Sequence, residues 1–153
     1  MPSGTVPVES LAQWLRTLGY EVKAPEAASA VRGILLAHNA IDRCMVGAFQ
    51  HETLLVFDGS GIARTASTRE VARLYLPALL GLRFRRVPYA ALSVPPVHRG
   101  VPVPLHALGR AVKAAGAPVL AWTINDVEQA RACWRRGVRA VLSDDPAAML
   151  AAR

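Results

Sequence analysis

Short apolar or β-branched runs alternate with helical patterns six times along this chain, and only a few residues join each to the next. The runs fall at residues 20–23, 44–48, 62–66, 90–94, 119–123 and 140–143. Alternation of this kind builds parallel βα units, because two parallel neighbours can be joined only through a crossover, usually a helix. Strands this apolar suit a sheet buried on both faces. Crossovers are right-handed, so the candidates are an open doubly wound sheet or part of a barrel. Length limits the second: a complete (β/α)8 barrel takes about 250 residues, ~200 at the smallest, and this chain has 153. No glycine-rich phosphate fingerprint follows the first run, so a dinucleotide fold lacks its usual signal. The chain is 52% hydrophobic and 19% charged, which excludes disorder and provides a core for one domain spanning residues 1–153.

Helix signals fit between the runs. Leu11, Trp14, Leu15 and Leu18 share helical spacing, and Gly19 ends that helix. Pro25 opens a helix over residues 26–38, and another is expected over 50–57. Gly59, Ser60 and Gly61 make a turn. Ser67 and Glu70 have the spacing of a capping box at the head of a helix running to about residue 80, with Pro77 as a break. Residues 95–104 are proline-rich and read as a loop. Helices over 105–115 and 126–136 end at Gly116 and Gly137, and Pro146 opens the last one.

The net charge of +7 comes almost wholly from arginine; the lysines are Lys23 and Lys113. The basic residues are scattered, apart from Arg83, Arg85 and Arg86 and a second cluster at Arg131, Arg135, Arg136 and Arg139. A solvated arginine-rich surface explains this, and so does a field drawing anionic small substrates. Aromatics are 6%, and no nucleic-acid-binding pattern occurs, so no nucleic-acid partner is expected. Cys44 and Cys133 lack metal-ligand spacing and read as reduced thiols. The first ten residues have neither the basic nor the apolar region of a signal peptide. The apolar patch over 74–82 is too short to span a bilayer. A cytoplasmic protein without a membrane span is the expectation.

In parallel βα folds, chemistry collects at the C-terminal ends of the strands. Glu21 and Lys23 end the first run and, two residues apart, share a face; they read as an ion pair or as a site. Asn125 or Asp126 caps the helix after the fifth run, with Glu128 and Gln129 placed for a capping box. Trp122 belongs to the core or to a pocket wall. Asp145 before Pro146 is an N-cap, which leaves Asp144 to face the site. His38, His51 and His106 read as surface or capping residues; no pair has metal spacing, and no Ser/His/Asp order marks a nucleophile.

Residues 116–126 (GAPVLAWTIND) and 137–146 (GVRAVLSDDP) resemble the end of the glycerophosphodiester phosphodiesterases, whose last strands read W-T-x-N and G-V-D-G-x-x-T-D-x-P. Glu21 and Lys23 match an E-x-K strand of that family, and Val46, Gly47, Ala48 and Phe49 match a strand reading small residue, Ser, Phe. Val6, Pro7 and Leu11 look like the helix before the E-x-K strand. The resemblance covers nearly the whole chain. It implies a partial TIM (β/α)8 barrel of about six strands, of the phospholipase-C-like phosphodiesterase type. It also implies hydrolysis of glycerophosphodiesters to glycerol 3-phosphate and an alcohol, with a divalent cation, magnesium or calcium, on carboxylates. Carried over by position, Glu21 is a metal ligand, Lys23 a phosphate-facing cation and Trp122 part of the pocket wall; Phe49, Asn125 and Asp144 are substrate-binding candidates.

The serious departures from the family are at one end. An H-R-G strand, an E-N-T segment, an E-x-D pair and a later H-D all belong ahead of the E-x-K strand, and none occurs ahead of Glu21. Ala48 replaces a hydroxyl, Arg139 an acidic residue and Ser143 a threonine. His98, Arg99 and Gly100 do spell H-R-G, but within the proline-rich segment; the motif reads as a coincidence there, with a rescue role for His98 as the alternative, since the loop follows a strand end. The expectation is therefore a site that is incomplete in this chain, and weak or absent activity from the isolated monomer. A module of another class also fits: a non-catalytic binding or assembly domain, whose open barrel edge pairs with another copy or a complementing chain.

Overall fold

The computed structural model describes residues 19–22 and 25–153. The helix expected over residues 8–18, Lys23 and the side chain of Glu21 lie outside the described residues. The chain divides into two compact units, residues 1–70 and 71–153.

In the first unit, β1 (Gly19–Glu21), β2 (Met45–Gly47) and β3 (Ala63–Arg64) form a parallel sheet in that order. Tyr20 pairs with Val46, and Val46 with Arg64. Helix α1 (Ala28–Ala37) links β1 to β2, and α2 (His51–Leu55) links β2 to β3. Pro25 opens a 3-10 turn that leads directly into α1, since its fixed φ suits a first helical turn. Val46, Leu54 and Phe57 are almost wholly buried, and Val22, Leu35 and Ile62 pack with them in one cluster. Met45 and Val46 are both buried although they point to opposite faces, as a strand covered on both sides requires.

Helix α3 (Thr68–Leu79) follows β3, and the division between the units falls within it. Pro77 does not break this helix, contrary to the sequence reading. It sits in the last turn, where only the bond to the residue 73 carbonyl is lost, and three further backbone bonds close the end: Leu80 N to Leu76 O, Gly81 N to Ala78 O and Leu82 N to Pro77 O.

In the second unit, β4 (Leu92–Val94) pairs in parallel with a strand over Val119–Ala121, which pairs in turn with one over Ala140–Val141. The segment expected as a loop holds a two-stranded antiparallel hairpin instead, β5 (Val97–His98) and β6 (Val101–Pro102). Arg99 and Gly100 both take positive φ, 51° and 80°, as a two-residue hairpin turn with the right twist needs. Helix α4 (Leu105–Val112) follows. Its buried face is Leu105, Leu108, Ala111 and Val112. It crosses the next strand at Gly109, where a Cβ would stand 3.6 Å from Val119 Cγ2. Strand β7 (Val119–Ala121) is buried at every residue. Helix α5 (Val127–Arg135), strand β8 (Ala140–Val141) and helix α6 (Pro146–Ala151) complete the chain.

Within each sheet the strands of the βα units are thus parallel, and each sheet runs in chain order, 1-2-3 and 4-7-8. A doubly wound sheet would reverse its order at a switch point; sequential order is that of a (β/α) barrel. No closed barrel is formed among the described residues. No helix among them is long and apolar enough to cross a membrane.

Candidate functional site

In the first unit, polar groups gather beyond the C-terminal ends of β2 and β3. The capping box forms as the spacing requires: Ser67 N donates to Glu70 Oε2 at 2.8 Å, and Glu70 N donates to Ser67 Oγ at 3.3 Å. Three further residues extend it. Arg64, buried on β3, places Nη1 3.0 Å from Glu70 Oε2 and Nη2 3.1 Å from Oε1, a two-pronged grip that a planar guanidinium makes well. Its Nε donates to Asp58 Oδ1 at 2.6 Å. His51, at the head of α2, brings Nδ1 to 3.1 Å from Ser67 Oγ. Backbone joins the same two loops, with Thr68 N donating to Phe49 O at 3.2 Å.

Counting protons assigns the imidazole. Ser67 Oγ also lies 3.0 Å from Glu70 Oε2, and an ionised carboxylate only accepts. The single hydroxyl proton therefore goes to Glu70, and His51 Nδ1–H donates to the serine oxygen. His51 Nδ1 also lies 3.8 Å from Glu70 Oε2, and among the described residues Nε2 has no hydrogen-bond partner. Burial by itself pushes Glu70 up, but hydrogen bonds from Arg64 and Ser67 outweigh it and hold the carboxyl below its ordinary range. Burial likewise opposes the charge on Arg64, while Glu70 and Asp58 more than restore it. Ser67 is wholly buried, so it orients His51 rather than attacking a substrate. The chain Arg64–Glu70–Ser67–His51 holds the imidazole in place beyond the ends of β2 and β3.

In the second unit, Asn125 and Asp144 come together. Asn125 Nδ2 donates to Asp144 Oδ2 at 2.7 Å, and its Oδ1 accepts from Ser143 Oγ and from Asp144 N, both at 3.0 Å. Asn125 therefore ties the loop after β7 to the loop after β8. The cap of α5 is Asp126, which accepts from Gln129 N at 2.7 Å, and Asp145 caps α6 by accepting from Ala148 N at 3.0 Å. Trp122 follows β7 and is half-buried; its peptide bond to Thr123 is cis.

Of the residues singled out in the sequence, Asn125 and Asp144 meet directly, and Phe49 is exposed beside His51 on the loop after β2. Lys23 and the Glu21 side chain lie outside the described residues. His51 is neither a cap nor a free surface residue, as the sequence had it; it belongs to the buried network, 16 positions from its serine. Arg64 was missed altogether. Among the described residues, no group of three or more His, Cys, Asp and Glu side chains is placed to hold a metal ion. Cys44 and Cys133 are free thiols, and burial raises Cys133 against the opposing charge of Arg136.

The model of the glycerophosphoryl diester phosphodiesterase family matches residues 24–148. Three solved structures share the fold. A phosphodiesterase from Oleispira antarctica, in complex with the product sn-glycerol-3-phosphate, is 20% identical, with 88% of this chain and 54% of that one covered at a TM-score of 0.59. A glycerophosphodiester phosphodiesterase from Parabacteroides distasonis is 15% identical, covering 86% and 54% at 0.57. One from Thermotoga maritima is 21% identical, covering 85% and 54% at 0.52. The chain thus spans about half the length of the solved structures it matches. No curated protein matches it.

Proposed function

Because the chain belongs to the glycerophosphoryl diester phosphodiesterase family, we propose that it binds glycerophosphodiesters, and that these 153 residues alone hydrolyse them to glycerol 3-phosphate and an alcohol slowly or not at all. The family match across residues 24–148 carries the first part. In this reading Lys23 faces the phosphate, Trp122 lines a wall, and Phe49, Asn125 and Asp144 serve the substrate. Glu21 is the carboxylate toward magnesium or calcium. The described residues do not form a cage for such an ion, which wants several oxygens, and no step is routed through it. The second part rests on the H-R-G, E-x-D and H-D motifs missing ahead of Glu21. Without positioned acid and base, two to four orders of magnitude per group are at stake.

Two measurements test this. Glycerol 3-phosphate is expected to bind, and Lys23→Ala to weaken that binding about tenfold, the effect of one charge-assisted contact. Release of glycerol 3-phosphate from glycerophosphocholine, with magnesium or calcium, is expected at background. Robust turnover abolished by Glu21→Ala would overturn the second part, and absence of any binding would overturn the first.

One observation favours a second reading, assembly. Among the described residues β1 and β3 bound one sheet and β4 and β8 the other, each paired on a single side. Such edges are templates for another copy or a complementing chain.

A further inference from the structure

The charge of this chain is not spread evenly. Residues 71–125 contain no aspartate or glutamate, and hold six arginines and Lys113. That stretch accounts for the whole net charge of +7; outside it, basic and acidic residues balance at eleven each. Within it, the end of α3 and the segment after it expose four leucines. Leu76 is 63% exposed, Leu79 53%, Leu80 71% and Leu82 54%. Arg83, Arg85 and Arg86 follow at once, all exposed, and among the described residues none of their side chains has a hydrogen-bond or ion-pair partner. The backbone that carries them is held firmly. Gly81 turns the chain at φ 79°, Leu82 N bonds Pro77 O at 3.0 Å, and half-buried Phe84 donates its N–H to Ala111 O on α4 at 2.7 Å. Leucines and arginines on either side of that anchor are left outward.

We propose that this patch, Leu76 to Arg86, docks the protein on an anionic lipid surface. Leucine clustered beside arginine is what an interfacial anchor needs: the apolar side chains enter the acyl boundary, and the guanidinium groups stay at the headgroups, where negative lipid attracts them. A contiguous apolar patch of this kind marks an interaction site rather than an ordinary surface. Nucleic acid is a poorer occupant, because it offers nothing to four leucines and its single-strand readers stack bases on exposed aromatics. A second copy pairing patch to patch would set the three arginines against their own counterparts. The docking lies in the interface plane and requires no spanning helix.

Co-sedimentation of the full 153-residue chain with vesicles tests this. Phosphatidylcholine vesicles containing phosphatidylglycerol are expected to bind it about tenfold more tightly than phosphatidylcholine alone, with the difference shrinking as salt rises. The pairs Leu79→Ser with Leu80→Ser, and Arg85→Glu with Arg86→Glu, are expected to weaken binding about tenfold each, with circular dichroism unchanged because all four side chains are exposed. Equal binding to both vesicles, or binding that both pairs leave intact, would overturn the proposal. So would retention on duplex DNA with none on vesicles, or a dimer that buries the patch and leaves vesicles unbound.

Discussion

Arg64 is a cation buried on a short strand, and the two carboxylates it reaches are what make that position tenable. Removing Glu70 would leave the guanidinium with the half-exposed Asp58 and would also undo the cap on α3. Glu70→Ala is therefore expected to cost about 3–5 kcal/mol, the range for breaking a buried pair, read from the midpoint of urea unfolding. The pH dependence has a definite sign. Glu70 is held below its ordinary value of 4.5 in the folded chain, so its contribution is complete above that value and is lost as pH falls through the folded pKa. Stability that declines only below about pH 4.5, with the decline blunted in Glu70→Gln, is the expected result. The Ser67–Glu70 half of this network was legible in the sequence, because a capping box is local. Arg64 and His51 were not: their partners lie 6 and 16 positions away, across a change from strand to helix that has no single period. Asn125 was legible as a polar residue at a strand end, but its partner is 19 residues distant, and only the fold shows that it ties two loops while Asp126 caps the helix.

Three helices end by one device. After α1, α3 and α5, residues Asn39, Gly81 and Gly137 take positive φ of 48°, 79° and 84°, and the next N–H reaches back five residues. Ala40 N bonds Leu35 O, Leu82 N bonds Pro77 O, and Val138 N bonds Cys133 O. This is the Schellman closure, and in α5 its apolar pair, Val138 over Cys133, is buried. A Cβ at Gly137 would meet nothing within 4 Å, so Gly137→Ala isolates the backbone term. It is expected to destabilise by about 1–2 kcal/mol, whereas Asn39→Gly is expected to stabilise slightly, both by denaturant midpoint. Of these three stops, Gly137 was readable in the sequence for this reason. The hairpin of β5 and β6 was not, because Arg99 stands where Asn or Asp usually announces such a turn, and the prolines around it argued for a loop.

At the scale of the molecule, the six strands of βα units were legible, since hydrophobic alternation and short connections leave few other topologies; their sequential order was not, because the same alternation also suits a doubly wound sheet, and only the family resemblance pointed to a barrel. The pairing that divides them into two three-stranded sheets was not, because nothing in a strand's own pattern says where a sheet stops. That stop has a consequence for association. Strand β4 bonds β7 through Leu92 N to Pro118 O and through Val94 O to Trp122 N. In a parallel strand the intervening residue turns its N–H and C=O the other way, so Ser93 faces away from β7. Proline is tolerated at an outer strand position whose N–H does not serve its own sheet, which makes Ser93→Pro a clean way to remove one edge donor. If the edges assemble, light scattering of the parent chain gives a mass above the monomer that rises with concentration and resists salt, because backbone hydrogen bonds carry it. Ser93→Pro is then expected to lower that mass toward the monomer, and Arg85→Glu with Arg86→Glu to leave it unchanged. A parent chain that stays monomeric at high concentration would remove the assembly reading and leave ligand binding as the function the family match supports.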